Sequence, residues 1–133
     1  LEVKMVSLPE LLAQADIITL HSVVTPESTN IINADAISNM KDGVIIVNVA
    51  RGKLIDEQAL AAALQSGKVA AAALDVYQQE PPVGSPLIGL PNVIHTPHLG
   101  ASSKEAQRRV GVEIVEQVVD ALRGTDIRNV VNR

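Results

Sequence analysis

The sequence predicts an α/β protein built on a parallel sheet with helices on its flanks. Short aliphatic runs alternate with capped helical segments along the chain. The run Val44-Ile45-Ile46-Val47-Asn48-Val49 is apolar at both odd and even positions, as in a parallel strand covered on two faces. Residues able to do chemistry follow directly after these runs, where open parallel sheets hold their ligands.

Each element has a local reason. Ser7-Leu8-Pro9-Glu10 reads as a helix start, with Ser7 as cap, Pro9 in the first turn and Glu10 closing a capping box. The β-branched Ile17-Ile18-Thr19-Leu20-His21 that follows suits a buried strand, and Ser22 to Asn30 is a loop. Asn33 starts a short helix through Ile37 and Met40, which Asp42-Gly43 stops. After the central strand and the turn Ala50-Arg51-Gly52, Asp56 caps an alanine-rich helix that ends on Gly67. Ala70 to Val76 is another buried run, Pro81, Pro82 and Pro86 make a loop, and Val93-Ile94-His95 is a last strand. Ser102 with Glu105 predicts a second capping box, opening a helix over 102–123 before Gly124. Ala106, Val110, Ile114, Val118 and Leu122 lie four apart and give that helix one apolar stripe. Together these elements predict a partial Rossmann-like parallel sheet with flanking helices and a long C-terminal helix.

Composition narrows the function. Of 133 residues 47% are hydrophobic, yet Tyr77 is the one aromatic, so the core must be aliphatic and no base-stacking platform is available. The net charge of −4 and the lack of a basic run argue against nucleic acid. Without cysteine there are no disulfides, thiolate metal sites or cysteine nucleophiles, and no metal site is expected. No stretch approaches the ~20 apolar residues of a membrane span. A cytoplasmic protein is expected. The opening Leu1-Glu2-Val3-Lys4 has neither an initiator Met nor a leader pattern, so the chain is expected to start within a longer protein.

The predicted carboxyl rim collects His21 and Ser22 after the first strand, Arg51 after the second and Asp75 after the third. Glu80 lies in the loop beyond, and His98 follows the fourth. Any one of these alone reads as a solvated end, and His95 is expected to pack or point outward. The set on one rim is more informative. Arginine offers a planar fork for a carboxylate, and histidine is the side chain that titrates nearest neutrality. A carboxylate such as Glu80 beside His98 would favour the imidazolium and fix the tautomer. Arg, His and Glu suit a 2-hydroxy acid, whose oxidation needs a hydride acceptor that side chains cannot provide. Asp75 could meet that acceptor's polar end.

Val47-Asn48-Val49-Ala50-Arg51-Gly52, Ala73-Leu74-Asp75-Val76-Tyr77, Glu80-Pro81 and Pro97-His98-Leu99-Gly100 resemble, in order and spacing, the signatures of the D-isomer-specific 2-hydroxyacid dehydrogenases. Ala101-Ser102-Ser103-Lys104-Glu105-Ala106-Gln107 and the ending Val130-Val131-Asn132 are most similar to the branch acting on 3-phosphoglycerate, the first step of serine biosynthesis. The resemblance implies an NAD-dependent oxidoreductase. In it Arg51 binds the substrate carboxylate, His98 is the acid/base residue and Glu80 its partner. Asp75 contacts the nicotinamide end, and Ser22 lines the adenosine side. Val49, Ala50, Leu99, Gly100 and Ala101 pass the nicotinamide with their backbones, where plain loop packing is the alternative for Leu99 and Ala101.

Departures from the family pattern matter as much. The glycine-rich G-x-G-x-x-G loop and the acidic residue that follows it are not in this sequence and are expected upstream of Leu1. Val23 stands where the family commonly has proline. Residues 1–133 are therefore expected to be the second half of a dinucleotide-binding domain, with the 102–123 helix crossing toward a substrate domain outside the sequence, and the chain alone to have little activity. A homo-oligomer, a dimer or more, is expected. The alternatives are a sister enzyme acting on glyoxylate or hydroxypyruvate, lactate, formate or phosphite, and a non-enzymatic NAD-sensing protein like the related corepressors.

Overall fold

The computed structural model describes residues 3–130. Leu1, Glu2, and the Val131-Asn132 part of the ending singled out above, lie outside the described residues. The chain forms two compact units, which divide between His98 and Leu99.

In the first unit, α1 (Leu8–Gln14) starts where Ser7 Oγ accepts from the Glu10 N–H, and Pro9 lies within its first turn. β1 (Ile17–Leu20), α2 (Ala34–Ser38) and β2 (Val44–Asn48) follow, with Asn33 Oδ1 capping α2 through the Ala36 N–H. A 3-10 turn over Gly52–Leu54 leads into α3 (Glu57–Ser66). Asp56 caps α3 by accepting from the Gln58 and Ala59 N–H groups at 3.0 and 3.1 Å, and Gly67 ends it at φ 80°. β3 (Val69–Leu74) and β4 (Val93–His95) complete a four-stranded parallel sheet in the order β1-β2-β3-β4.

The register explains the core. Ile18, Ile46, Ala72 and Val93 stand in one row across the sheet and are all buried. Leu12, Ile37, Leu54, Leu60 and Leu64 from the helices join the same cluster. Each such aliphatic side chain contributes roughly 1.5–3 kcal/mol by leaving water. The neighbouring rows, on the other face, differ from the sequence expectation. Ile17, Ile45 and Ile94 are 62%, 37% and 70% exposed, so the sheet is covered on one face only by its own unit. An apolar run at both parities states that both faces avoid water; it does not state which segment covers each.

The second unit holds α4 (Lys104–Arg123), ended by Gly124 at φ 69°. Its cap is Ser103, whose Oγ accepts from the Ala106 N–H at 3.1 Å, one residue later than the Ser102 expected from the sequence. Ser102 instead donates its backbone N–H to the Leu99 C=O. α4 buries none of its residues. Among the described residues, no helix is long and apolar enough to cross a membrane.

Candidate active site

The carboxyl rim is assembled by strand register. β2 ends at Asn48, a polar side chain only 1% exposed in an otherwise aliphatic strand. Its Nδ2 donates to the Arg51 C=O at 2.9 Å, and its Oδ1 accepts from the Ala50 N–H at 3.1 Å. Asn48 thus shapes the turn that carries Arg51, whose exposed guanidinium folds back on the Ala50 C=O. Behind it, Gly52 is buried against the backbone of Tyr77 and Gln78. A Cβ at Gly52 would stand 1.9 Å from the Tyr77 carbonyl carbon and oxygen. Only glycine lets the arginine turn and the loop after β3 approach this closely.

That loop and the one after β4 meet next. Asp75, 5% exposed, donates its N–H to the Asn48 C=O at 3.0 Å and accepts the His98 N–H on its own C=O at 3.0 Å. The Thr96 hydroxyl donates to Asp75 Oδ1. Glu80 accepts the Tyr77 N–H on Oε1 at 3.1 Å, and its Oε2 lies 2.7 Å from His98 Nδ1. The hydrogen bond from His98 is the main reason that the Glu80 carboxyl is held below the ordinary range, with the Tyr77 N–H second and slight burial opposing. His98 itself sits at φ 55°, a left-handed backbone that few residues with a Cβ adopt.

These residues surround two cavities of the first unit. One, of about 410 Å³, is lined by Asp75, Tyr77, Glu80, His95, Thr96 and His98. The other, of about 500 Å³, is lined by His21, Ser22, Val49, Ala50 and Arg51 among others. The structure therefore brings Asp75, Glu80 and His98 together and places Ser22, Val49, Ala50 and Arg51 around a separate opening. Leu99, Gly100 and Ala101 belong to the second unit. His95 is exposed, as expected, but its Nδ1 also shares a hydrogen bond with the Tyr77 hydroxyl. Burial raises that phenol's pKa, and the Glu57 and Asp75 carboxylates add to the effect. Asn48, Thr96 and Tyr77 were not among the expected site residues. The one sequence signal for Asn48 is a polar side chain inside an aliphatic run.

A parallel sheet with a histidine–carboxylate pair, a buried aspartate and an arginine turn on its carboxyl rim has the architecture of an α/β domain that takes its ligand at the strand ends. Residues 1–100 match the family described as D-isomer specific 2-hydroxyacid dehydrogenase, NAD binding domain, and the chain belongs to that family. It is 50% identical over 131 residues to the D-3-phosphoglycerate dehydrogenase of Archaeoglobus fulgidus, covering 98% of this chain and 25% of that protein. It is 51% identical over 125 residues to the hydroxypyruvate reductase of Thermotoga maritima, covering 92% and 41%. The D-lactate dehydrogenase of Aquifex aeolicus, solved with NAD and lactic acid, superimposes with a TM-score of 0.84 at 36% identity, over 90% of this chain and 41% of that one. The chain thus spans about a quarter of the length of its phosphoglycerate dehydrogenase relative.

The linings of the two cavities combine apolar and polar side chains, the mix that a dinucleotide's rings and polar groups require. Val49 and Ala50 line one cavity together with Ser22 and Arg51. Asp75 and Thr96 line the other.

Proposed function

We propose that this chain carries the acid/base half of an NAD-dependent D-2-hydroxyacid dehydrogenase, with 3-phosphoglycerate as its substrate. The observation that carries the reading is the 2.7 Å contact between His98 Nδ1 and Glu80 Oε2 at the carboxyl rim. With Nδ1–H donating to the carboxylate, Nε2 keeps its lone pair and is the atom that takes the substrate hydroxyl proton. Glu80 offsets the charge the imidazole then acquires. Arg51 holds the substrate carboxylate through its planar fork. The chemistry that bound NAD would supply is a hydride acceptor for C2. Ser22, Val49, Ala50, Arg51, Asp75 and His98 are the residues of the first unit that would line the cofactor.

The 50% identity to a D-3-phosphoglycerate dehydrogenase supports that substrate. The similar identity to a hydroxypyruvate reductase supports a second reading, in which the three-carbon acid lacks the phosphate. We take residues 1–133 as the second half of a dinucleotide-binding domain, with 102–123 running toward a substrate domain, in a cytoplasmic homo-oligomer; the 25% share of the phosphoglycerate dehydrogenase relative that the chain covers is in keeping with part of a longer enzyme.

The test uses the enzyme that contains this chain, assayed by NAD reduction with D-3-phosphoglycerate and with D-glycerate. His98→Ala is expected to lower kcat by 10²–10⁴-fold, roughly the worth of a positioned acid/base group. Arg51→Ala is expected to raise KM and lower kcat together. Unchanged kinetics for His98→Ala would sink the mechanism, and preference for D-glycerate would select the second reading. The 133-residue chain alone is expected to turn over slowly, so near-native rates from it would refute the half-domain assignment.

A further inference from the structure

We propose that Glu57 is a positioning residue for the acid/base pair: it clamps both ends of the loop over 78–85 and so sets where Glu80 meets His98. The proposal rests on the dehydrogenase reading above. Glu57 is the first residue of α3, 23 positions before Glu80, and its carboxylate bonds go to Gln78 and Ser85, not to Glu80 or His98. Its Oε1 accepts the Gln78 N–H at 2.7 Å, and its Oε2 accepts the Ser85 hydroxyl at 2.6 Å. Gln78 is pinned again by its own side chain, which donates to the Ile55 C=O at 2.7 Å and to Asn30 Oδ1 at 3.3 Å. Its neighbour Tyr77 supplies the N–H that holds Glu80 Oε1.

Between the two anchors, the loop makes short-range backbone bonds, Val83 N–H to Pro81 C=O and Ser85 N–H to Pro82 C=O. Gln79, Glu80 and Pro81 are exposed. Packing therefore does little to fix this arc, and the two bonds to Glu57 are what tie its ends to α3. A carboxylate suits the position. It presents two acceptors to two donors, and it stands in the first turn of a helix, where the free N–H groups favour negative charge. Glutamine can replace it in the same geometry: the amide oxygen accepts from Gln78, and the amide N–H donates to Ser85 Oγ. Alanine cannot.

The experiment is a set of variants of the enzyme that contains this chain, measured by steady-state kinetics and by NMR titration of the Glu80 carboxyl. Glu57→Ala is expected to lower kcat by about 10-fold with KM unchanged, short of the ~10²-fold that a 1 Å misplacement can bring. The Glu80 titration is expected to move up toward the ordinary carboxyl range, because its bonds to His98 and Tyr77 weaken. Glu57→Gln is expected to restore both. In a Glu80→Gln background, Glu57→Ala is expected to add nothing to the loss, as for residues acting through one another.

An unchanged kcat in Glu57→Ala overturns the proposal. So does a full additive loss in the Glu80→Gln background, or a Glu57→Gln enzyme as slow as the alanine variant. Should Glu57→Ala fail to fold, Ser85→Ala removes one anchor and carries the test; it is expected to lower kcat in the same direction, and no change overturns the idea. Wild-type rates in Glu80→Gln or His98→Ala would overturn the dehydrogenase reading itself. Those variants leave Glu57 untouched, so the two failures are told apart.

Discussion

Gly52→Ala tests how tightly the arginine turn is locked to the loop that carries Glu80. The added Cβ would stand 1.9 Å from the Tyr77 carbonyl carbon and oxygen and 2.5 Å from the Gln78 nitrogen, where ordinary contact begins near 3.4 Å. The two backbones must therefore part by about 1.5 Å, the difference between the clash and that contact. Flexible side chains can give way at little cost, but these are main-chain atoms, one end of them held by Glu57 through the Gln78 N–H. Overpacking of this kind costs about 1–3 kcal/mol, and a main-chain clash belongs at the top of that range. For a unit of this size, about 3 kcal/mol is roughly 12–24 °C in Tm. The assay is thermal and urea denaturation of the alanine variant beside the wild type, followed by kinetics of the full enzyme. A part of 1.5 Å between Arg51 and the Glu80 loop is expected to lower kcat/KM by about 10²-fold or more, since a 1 Å misplacement can do as much. A stability change below ~0.5 kcal/mol, the range of ordinary surface substitutions, would refute the reasoning.

Other expectations follow from the same geometry. The folded-state pKa of Glu80 lies below its ordinary value of 4.5, so its ionised form contributes stability above that pH, and the contribution is lost as pH falls through the lowered value. Urea midpoints of wild type and Glu80→Gln are therefore expected to differ at neutral pH and to converge in acid; divergence in acid would contradict the sign. Leu60 is fully buried in the helix-covered core, and Leu60→Ala is expected to cost about 2–5 kcal/mol in a denaturation curve. Asp56→Ala removes two capping bonds from α3 and is expected to cost about 0.5–2 kcal/mol by the same measurement.

Much of this was legible in the sequence because its causes are local. Asn33, Asp56, Gly67 and Gly124 act on the backbone within a turn of themselves, and each does what its residue type favours. The α/β alternation gives a parallel sheet, and a parallel sheet puts the strand-end residues on one rim. The misplaced cap on α4 shows the limit of such rules. Ser102 and Ser103 are chemically the same, and the Glu105 that favours one does not exclude the other. What the sequence could not give is tertiary. Gly52 reads as an ordinary turn glycine until the Tyr77 backbone is seen against it. Glu57 reads as a first-turn acid that complements α3, and only the folded loop shows two donors converging on it. The uncovered face of Ile17, Ile45 and Ile94 belongs to the same class, since an aliphatic side chain carries no record of its cover.

The left-handed backbone at His98 has a consequence for how the protein can change. Holding a residue with a Cβ at φ 55° costs roughly 1–2 kcal/mol that glycine would not incur and asparagine would incur less. On the acid/base role proposed for His98, position 98 is a place where heat resistance and turnover select different amino acids. A library enriched for survival on heating would drift to glycine there, and the drift would remove the one ring that Glu80 holds at the rim. Thermostabilised descendants of this chain would need that codon fixed before any others were allowed to vary.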